Sequence, residues 1–173
     1  MDDDASDEKP EGLTSRAPES RDLVELCREL NRLEAKYVVV GGLAIVQAGY
    51  PRTTGDVDLL VDASLENEAI VFKALESLPD QAVKELDPGD VAKFLVVRVA
   101  DEILVDLMAK ASGIDYAEAA KSVVVHELDG VSIPFASPEL LWRMKIHTHR
   151  EKDAPDLFFL RKLFEAQGRT PPE

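Results

Sequence analysis

Two carboxylates stand one residue apart at the head of an otherwise apolar run, Asp56-Val57-Asp58-Leu59-Leu60-Val61-Asp62. A run of this kind reads as a strand, and the two-residue strand period sets Asp56 and Asp58 on one face, roughly 7 Å apart. At an effective dielectric near 20, two like charges at that separation repel by about 2 kcal/mol. That is a noticeable share of a domain's marginal stability, so a cation between the pair is expected. In Glu102-Ile103-Leu104-Val105-Asp106-Leu107-Met108 the same alternation plants a third acid, Asp106, with Leu104 and Met108 on its face. Hard oxygen ligands that leave room for phosphate oxygens describe Mg²⁺ or Mn²⁺.

The rest of the composition narrows the setting. A chain of 173 residues fits one domain, and its formal net charge of -14 speaks against coating nucleic acid through bulk charge. Residues 1–20 carry seven acids against two bases, with Pro10 and Pro18. Too little apolar area is present there to offset the entropy of ordering, so a disordered acidic tail is expected. The folded domain is expected over 21–168, with a short tail over 169–173. The lone Cys27 permits no internal disulfide. With no apolar run of membrane-spanning length and an acidic start unlike a secretory signal, the expectation is a cytoplasmic protein with no membrane partner.

Local signals predict an α+β domain with a mixed sheet, helices packed on it and a helical C-terminus. Ser20 is a candidate cap for a helix with Leu23, Leu26, Leu30 and Leu33 on one face. Strands are predicted at 37–42 and 56–62, with a short helix between them ending at Gly49, and Ser64 opens a helix to about Leu78. Residues 79–92 read as a loop. Residues 93–100 and 102–109 read as strands around a tight turn at Asp101, and a helix is predicted from Ile114 to about Lys121. Asp129-Gly130 suits a type I′ hairpin turn, while Pro134 marks its strand as an edge. Ser137-Pro138 opens the first of two final helices, to about Glu151 and from Asp153 to Gln167.

Gly41-Gly42 lies between the first strand and a helix start. Glycines admit close backbone approach, and free helical N–H groups suit an anion such as a triphosphate. Between Trp142 and Lys162 six Lys or Arg residues face three acids, a locally basic stretch where a polyanion could dock.

These residues add up to a resemblance. VVVGGLAIVQAGYPRTTGDVDLLV, with the later Asp106, resembles the DNA polymerase β nucleotidyltransferase superfamily, marked by a Gly-Gly or Gly-Ser turn, Asp-x-Asp and a third carboxylate. With Arg52, Thr53 and Thr54 as spacer, it is similar to the small nucleotidyltransferases that include AbiEii-type toxins. Those enzymes also carry a downstream Lys with His, Thr or Gly four residues on, here Lys145 and His149, and a Lys-Asp-x-x-Asp-Leu element, here residues 152–157. The resemblance implies the nucleotidyltransferase fold and transfer of an NMP group from an NTP to a macromolecular hydroxyl, a tRNA 3′ end or a protein side chain. It also implies a toxin–antitoxin setting with a cognate antitoxin as partner. Asp56, Asp58 and Asp106 would hold Mg²⁺ or Mn²⁺, Gly41 and Gly42 would cradle the triphosphate with Arg52 and Thr54 beside them, and Lys145 would neutralise charge developing on it.

Other readings stand beside this one. A small-molecule nucleotidyltransferase of the aminoglycoside-modifying kind shares the Gly-Gly and acid-pair pattern, and a nucleotide-binding module could keep the fold without transfer. Lys145 could be a solvated helix lysine, and Asp153 a helix cap as readily as a catalytic acid. His147 and His149 lack further ligands for a zinc set, so surface positions are expected. His126 and Cys27 read as structural.

Overall fold

The computed structural model describes residues 14–173. The first thirteen residues of the expected acidic tail lie outside the described residues. The end of that stretch is tied down: Ser15 Oγ donates to the Asp101 carbonyl at 2.6 Å, and Arg16 reaches both Asp22 and Glu102.

The first helix, α1 (Ser20–Arg32), buries Leu23, Leu26, Cys27 and Leu30. Its cap is Glu19 rather than Ser20: Glu19 and Asp22 form a reciprocal capping box, with the Glu19 N–H donating to Asp22 Oδ2 at 2.7 Å. Strand β1 (Tyr37–Val40) is buried throughout and runs into α2 (Gly41–Ala48). Next come β2 (Asp56–Val61) and α3 (Leu65–Leu75), the latter capped by Ser64, whose side chain accepts from the Asn67 N–H. The expected loop at 79–92 holds a 3₁₀ turn (Ala82–Glu85) and a short helix, α4 (Asp90–Lys93). Strands β3 (Val97–Ala100) and β4 (Leu104–Met108) follow, then the small pair β5 (Lys110–Ala111) and β6 (Ile114–Asp115). The predicted helix from Ile114 is only one turn, α5 (Tyr116–Ala119). The hairpin β7 (Val123–Leu128) and β8 (Val131–Ala136) leads into α6 (Pro138–Lys145), a 3₁₀ turn (Glu151–Asp153) and α7 (Ala154–Ala166). The final residues pack back, with Trp142 Nε1 donating to the Pro172 carbonyl at 2.9 Å.

Six strands form one mixed sheet in the order β3-β4-β2-β1-β8-β7, parallel at β2/β4 and β1/β8 and antiparallel elsewhere. Pro134 therefore lies on an internal strand, against expectation; β7 is the edge. The hairpin turn has Asp129 at φ +49° and Gly130 at φ +79°, as a type I′ turn requires. Hydrogen-bonded pairs alternate away from that two-residue loop, so Val125↔Pro134 is a pair that needs no N–H from the proline. The missing donor faces β1, where the pairing is a single bridge, Val39↔Phe135. An internal proline is tolerated because its neighbour asks almost nothing of it.

Helices α1 and α3 pack on each other, and α1 also on β8; α2 packs on β2 and α6, and α6 on α7. On β2, Val57, Leu59, Leu60 and Val61 are fully buried while Asp56 and Asp58 keep partial access to solvent. Among the described residues no helix is long and apolar enough to cross a membrane.

Candidate active site

The register of the sheet assembles the acids. Asp58 pairs with Asp106 across the parallel β2/β4 contact, and Asp106 pairs with Arg98 across β4/β3. Residues paired directly across strands share a face, so Asp58, Asp106 and Arg98 form one lateral row, with Asp56 two residues along. The carboxylates of Asp56, Asp58 and Asp106 each offer an oxygen within 4.8 Å of the others. The eight residues that the resemblance placed in the site, Gly41, Gly42, Arg52, Thr54, Asp56, Asp58, Asp106 and Lys145, line one cleft of about 750 Å³. That volume suits a small ligand.

The glycines have a reason visible in the packing. Gly41 sits at φ +69°, and a Cβ there would overlap Asp58 Oδ2. A Cβ on Gly42 would come within 2.6 Å of Thr54 Oγ1 and 3.1 Å of Arg52 Nη2. The paired glycines thus let the acid strand and the Arg-Thr loop press against the start of α2.

Crowding shows in the proton affinities. Burial, then repulsion from Asp56 and Asp106, pushes the Asp58 carboxyl up to about 7. Burial and Asp106 also raise Asp56, with Arg98 working against the rise. Among the described residues Asp58 has no salt bridge, whereas the other two acids do. Arg98 Nε donates to Asp106 Oδ1 at 2.8 Å, and its Nη2 donates to Asp106 Oδ2 and to Asp56 Oδ2, both at 2.9 Å. Of the three carboxylates expected to hold an ion, a guanidinium therefore already engages two.

A basic group completes the cleft, and buried acids fix it. Asp156 Oδ2 pairs with Lys145 Nζ at 3.2 Å and accepts from Arg52 Nη2 at 3.1 Å, with Arg52 Nε 3.1 Å from Oδ1. Asp153 accepts from Lys145 Nζ at 3.0 Å, Thr148 Oγ1 at 2.6 Å and Arg150 Nε at 2.8 Å. Burial opposes its charge, but those three donors outweigh it and hold its carboxyl down at about 2. Lys145 is therefore a buried, paired lysine and not a solvated one. Asp153 stands at the start of α7 yet makes no capping hydrogen bond; it orients Lys145 and Arg150 instead. Replacing Asp153 with Asn is expected to weaken this network by roughly 1–3 kcal/mol and to lower the thermal midpoint by several degrees, read by circular dichroism.

Arg98 and Arg150 were not singled out in the sequence, and Asp156 entered only as the second acid of the Lys-Asp-x-x-Asp-Leu element. Arg98 carried a weak signal, as the one charge among Val96, Val97 and Val99. His147 and His149 are exposed, Cys27 is buried, and His126 packs edge-on against Phe135.

The three carboxylates fit a divalent cation by donor type and convergence. No protein-family model and no curated protein matches the chain. Solved structures do. A Thermotoga maritima protein provisionally assigned as a nucleotidyltransferase, with a crystal structure at 1.87 Å, superposes with a TM-score of 0.54 over 84% of this chain and 92% of its own, at 19% identity. An antigenic nucleotidyltransferase-like protein from Paracoccidioides brasiliensis gives a TM-score of 0.50 over 82% of this chain and 74% of its own, also at 19% identity. With a mixed sheet carrying three converging acids beside a glycine-started helix, this chain has the nucleotidyltransferase fold.

Proposed function

We propose that the protein is a divalent-metal-dependent nucleotidyltransferase that moves an NMP group from an NTP to a macromolecular hydroxyl, an RNA 3′ end or a protein side chain. The observation that carries this reading is the meeting of Asp56, Asp58 and Asp106 in a cleft that also holds Arg52 and Lys145. Mg²⁺ or Mn²⁺ held by the three carboxylates would supply Lewis-acid stabilisation of charge on the transferred phosphoryl group and its leaving pyrophosphate. Arg52 and Lys145, prepositioned by Asp156 and Asp153, would neutralise further charge on the triphosphate without reorganising. The start of α2 would present N–H groups to the phosphates. The basic stretch around Arg150 and Lys152 at the cleft favours a polyanionic acceptor, and a toxin–antitoxin role is the setting that fits such an acceptor.

The test is transfer itself. Protein incubated with labelled NTPs, Mg²⁺ or Mn²⁺ and total RNA or protein is expected to label an acceptor, and EDTA or Asp58→Ala to abolish the label. Labelling that survives Asp58→Ala would refute the assigned site. The clamp of Arg98 on Asp106 favours a second reading, a binding module in which that clamp never opens. NTP binding that needs no metal, without transfer to any acceptor, would select it.

A further inference from the structure

We propose, on the metal-site reading above, that Arg98 is a resident counter-ion which a divalent cation must displace to bind. The guanidinium engages both oxygens of Asp106 and one of Asp56. A cation bound by the three acids would compete for the same carboxylates and would lie beside the guanidinium, where two positive charges repel each other. The position is fixed by the fold, since Arg98 stands opposite Asp106 in the β3/β4 register. Both flanking valines, Val97 and Val99, are buried and anchor the strand beneath it.

The contact is nevertheless built to open. The Arg98 side chain is 51% exposed, against 11% for Lys145. Arg98 can turn towards solvent at little cost to its own hydration, and an incoming cation would take over the charge of buried Asp106, whereas Lys145 is enclosed with its acids. One positive group against three crowded negative ones leaves the cluster short of cation. Asp58, beyond the reach of the guanidinium, has no salt bridge among the described residues and so remains the open point of entry. Binding is then an exchange: the cation meets Asp58 first, and the guanidinium leaves Asp56 and Asp106 as those carboxylates turn to the ion. Arg98 itself lines the cleft, so once released it stands where phosphate oxygens of a bound nucleotide could accept its hydrogen bonds. Arg98 thus sets how much cation the protein needs before the site assembles.

Mn²⁺ binding, followed by the loss of free-ion paramagnetic resonance signal, tests this on the full-length protein and on Arg98→Gln and Arg98→Lys, with thermal melts as a check on folding. Arg98→Gln is expected to bind Mn²⁺ about tenfold tighter than the parent, and Arg98→Lys to fall between, because an ammonium keeps the charge but not the fork. Metal-free Arg98→Gln is expected to melt lower than the parent and to gain more from Mn²⁺. If Arg98→Gln does not fold, the intermediate affinity of Arg98→Lys carries the test. Equal or weaker binding by the variants, with the parent binding well, would overturn the exchange and make Arg98 a fixed part of the cluster. Absence of binding in parent and variants alike, with folds intact, would overturn the metal reading and the exchange with it.

Discussion

Asp58→Asn should melt at a higher temperature than the parent at pH 8 when both are metal-free, and with Mg²⁺ or Mn²⁺ present should lose transfer by on the order of a thousandfold. The two effects have one cause. Burial and two neighbouring carboxylates raise the Asp58 carboxyl from an ordinary value of 3.8 to about 7. A group that holds its proton more tightly when folded contributes its full share of stability below 3.8. It loses that share as pH rises through about 7, at up to about 1.4 kcal/mol per pH unit within the window. Asparagine keeps the shape and removes the charge, so the variant's midpoint should be flatter between pH 4 and 8. Mg²⁺ or Mn²⁺ should restore the parent and do little for the variant. Asp153 titrates in the opposite sense: its carboxyl is held at about 2, so its contribution is present above 3.8 and lost as pH falls towards 2. Metal-free parent should therefore be most stable near pH 4 to 5, which a series of melts across pH would read directly. A midpoint that rises steadily from pH 4 to 8 would contradict the crowding of the acids.

Gly41→Ala should disable the site while leaving the fold standing. The substitution places a methyl group on the Asp58 carboxylate and forces a side chain into φ +69°. The backbone strain alone is about 1 kcal/mol, but the overlap cannot be relieved without moving Asp58 itself. A displacement of about 1 Å in a catalytic group costs about a hundredfold, so transfer and Mn²⁺ affinity should both fall by at least that much. Gly130→Ala separates the two contributions. Gly130 has φ +79°, and a methyl carbon there would meet nothing within 4 Å, so the strain is similar and there is no overlap. It should lower the melting midpoint by a few degrees and leave Mn²⁺ binding unchanged. Equal losses of Mn²⁺ affinity in the two variants would show that the tightness between Gly41 and Asp58 has no functional consequence.

Much of the site was legible because its signals are local. Alternation over a few residues sets Asp56 and Asp58 on one face and Asp106 on a face with Leu104 and Met108, and the glycine pair announces a tight junction whatever lies beyond it. Arg98 was harder to read. A tight turn centred on Asp101 would place Val96 opposite Asp106, whereas the connection spans Asp101–Ile103 and brings Arg98 there instead. A shift of two residues keeps every side chain on its face, so the hydrophobic pattern could not flag it. The Pro134 strand misled for a related reason: proline excludes a ladder hydrogen bond on one side only, and which side is free depends on a neighbour over ninety residues away in sequence.

What the sequence by itself determined is the main strands and helices, the face of the site residues on them and the presence of three acids fit for a cation, because strand and helix periods act over a few residues. Tertiary structure alone decided the partners of those charges. It closed Asp106 with Arg98, turned Asp153 from a helix cap into a clamp on Lys145 and Arg150, and joined Arg52 to Asp156 across 104 residues. Coulomb attraction and hydrogen bonding depend on distance through space, and chain separation carries no record of that distance until the sheet register and helix packing are fixed.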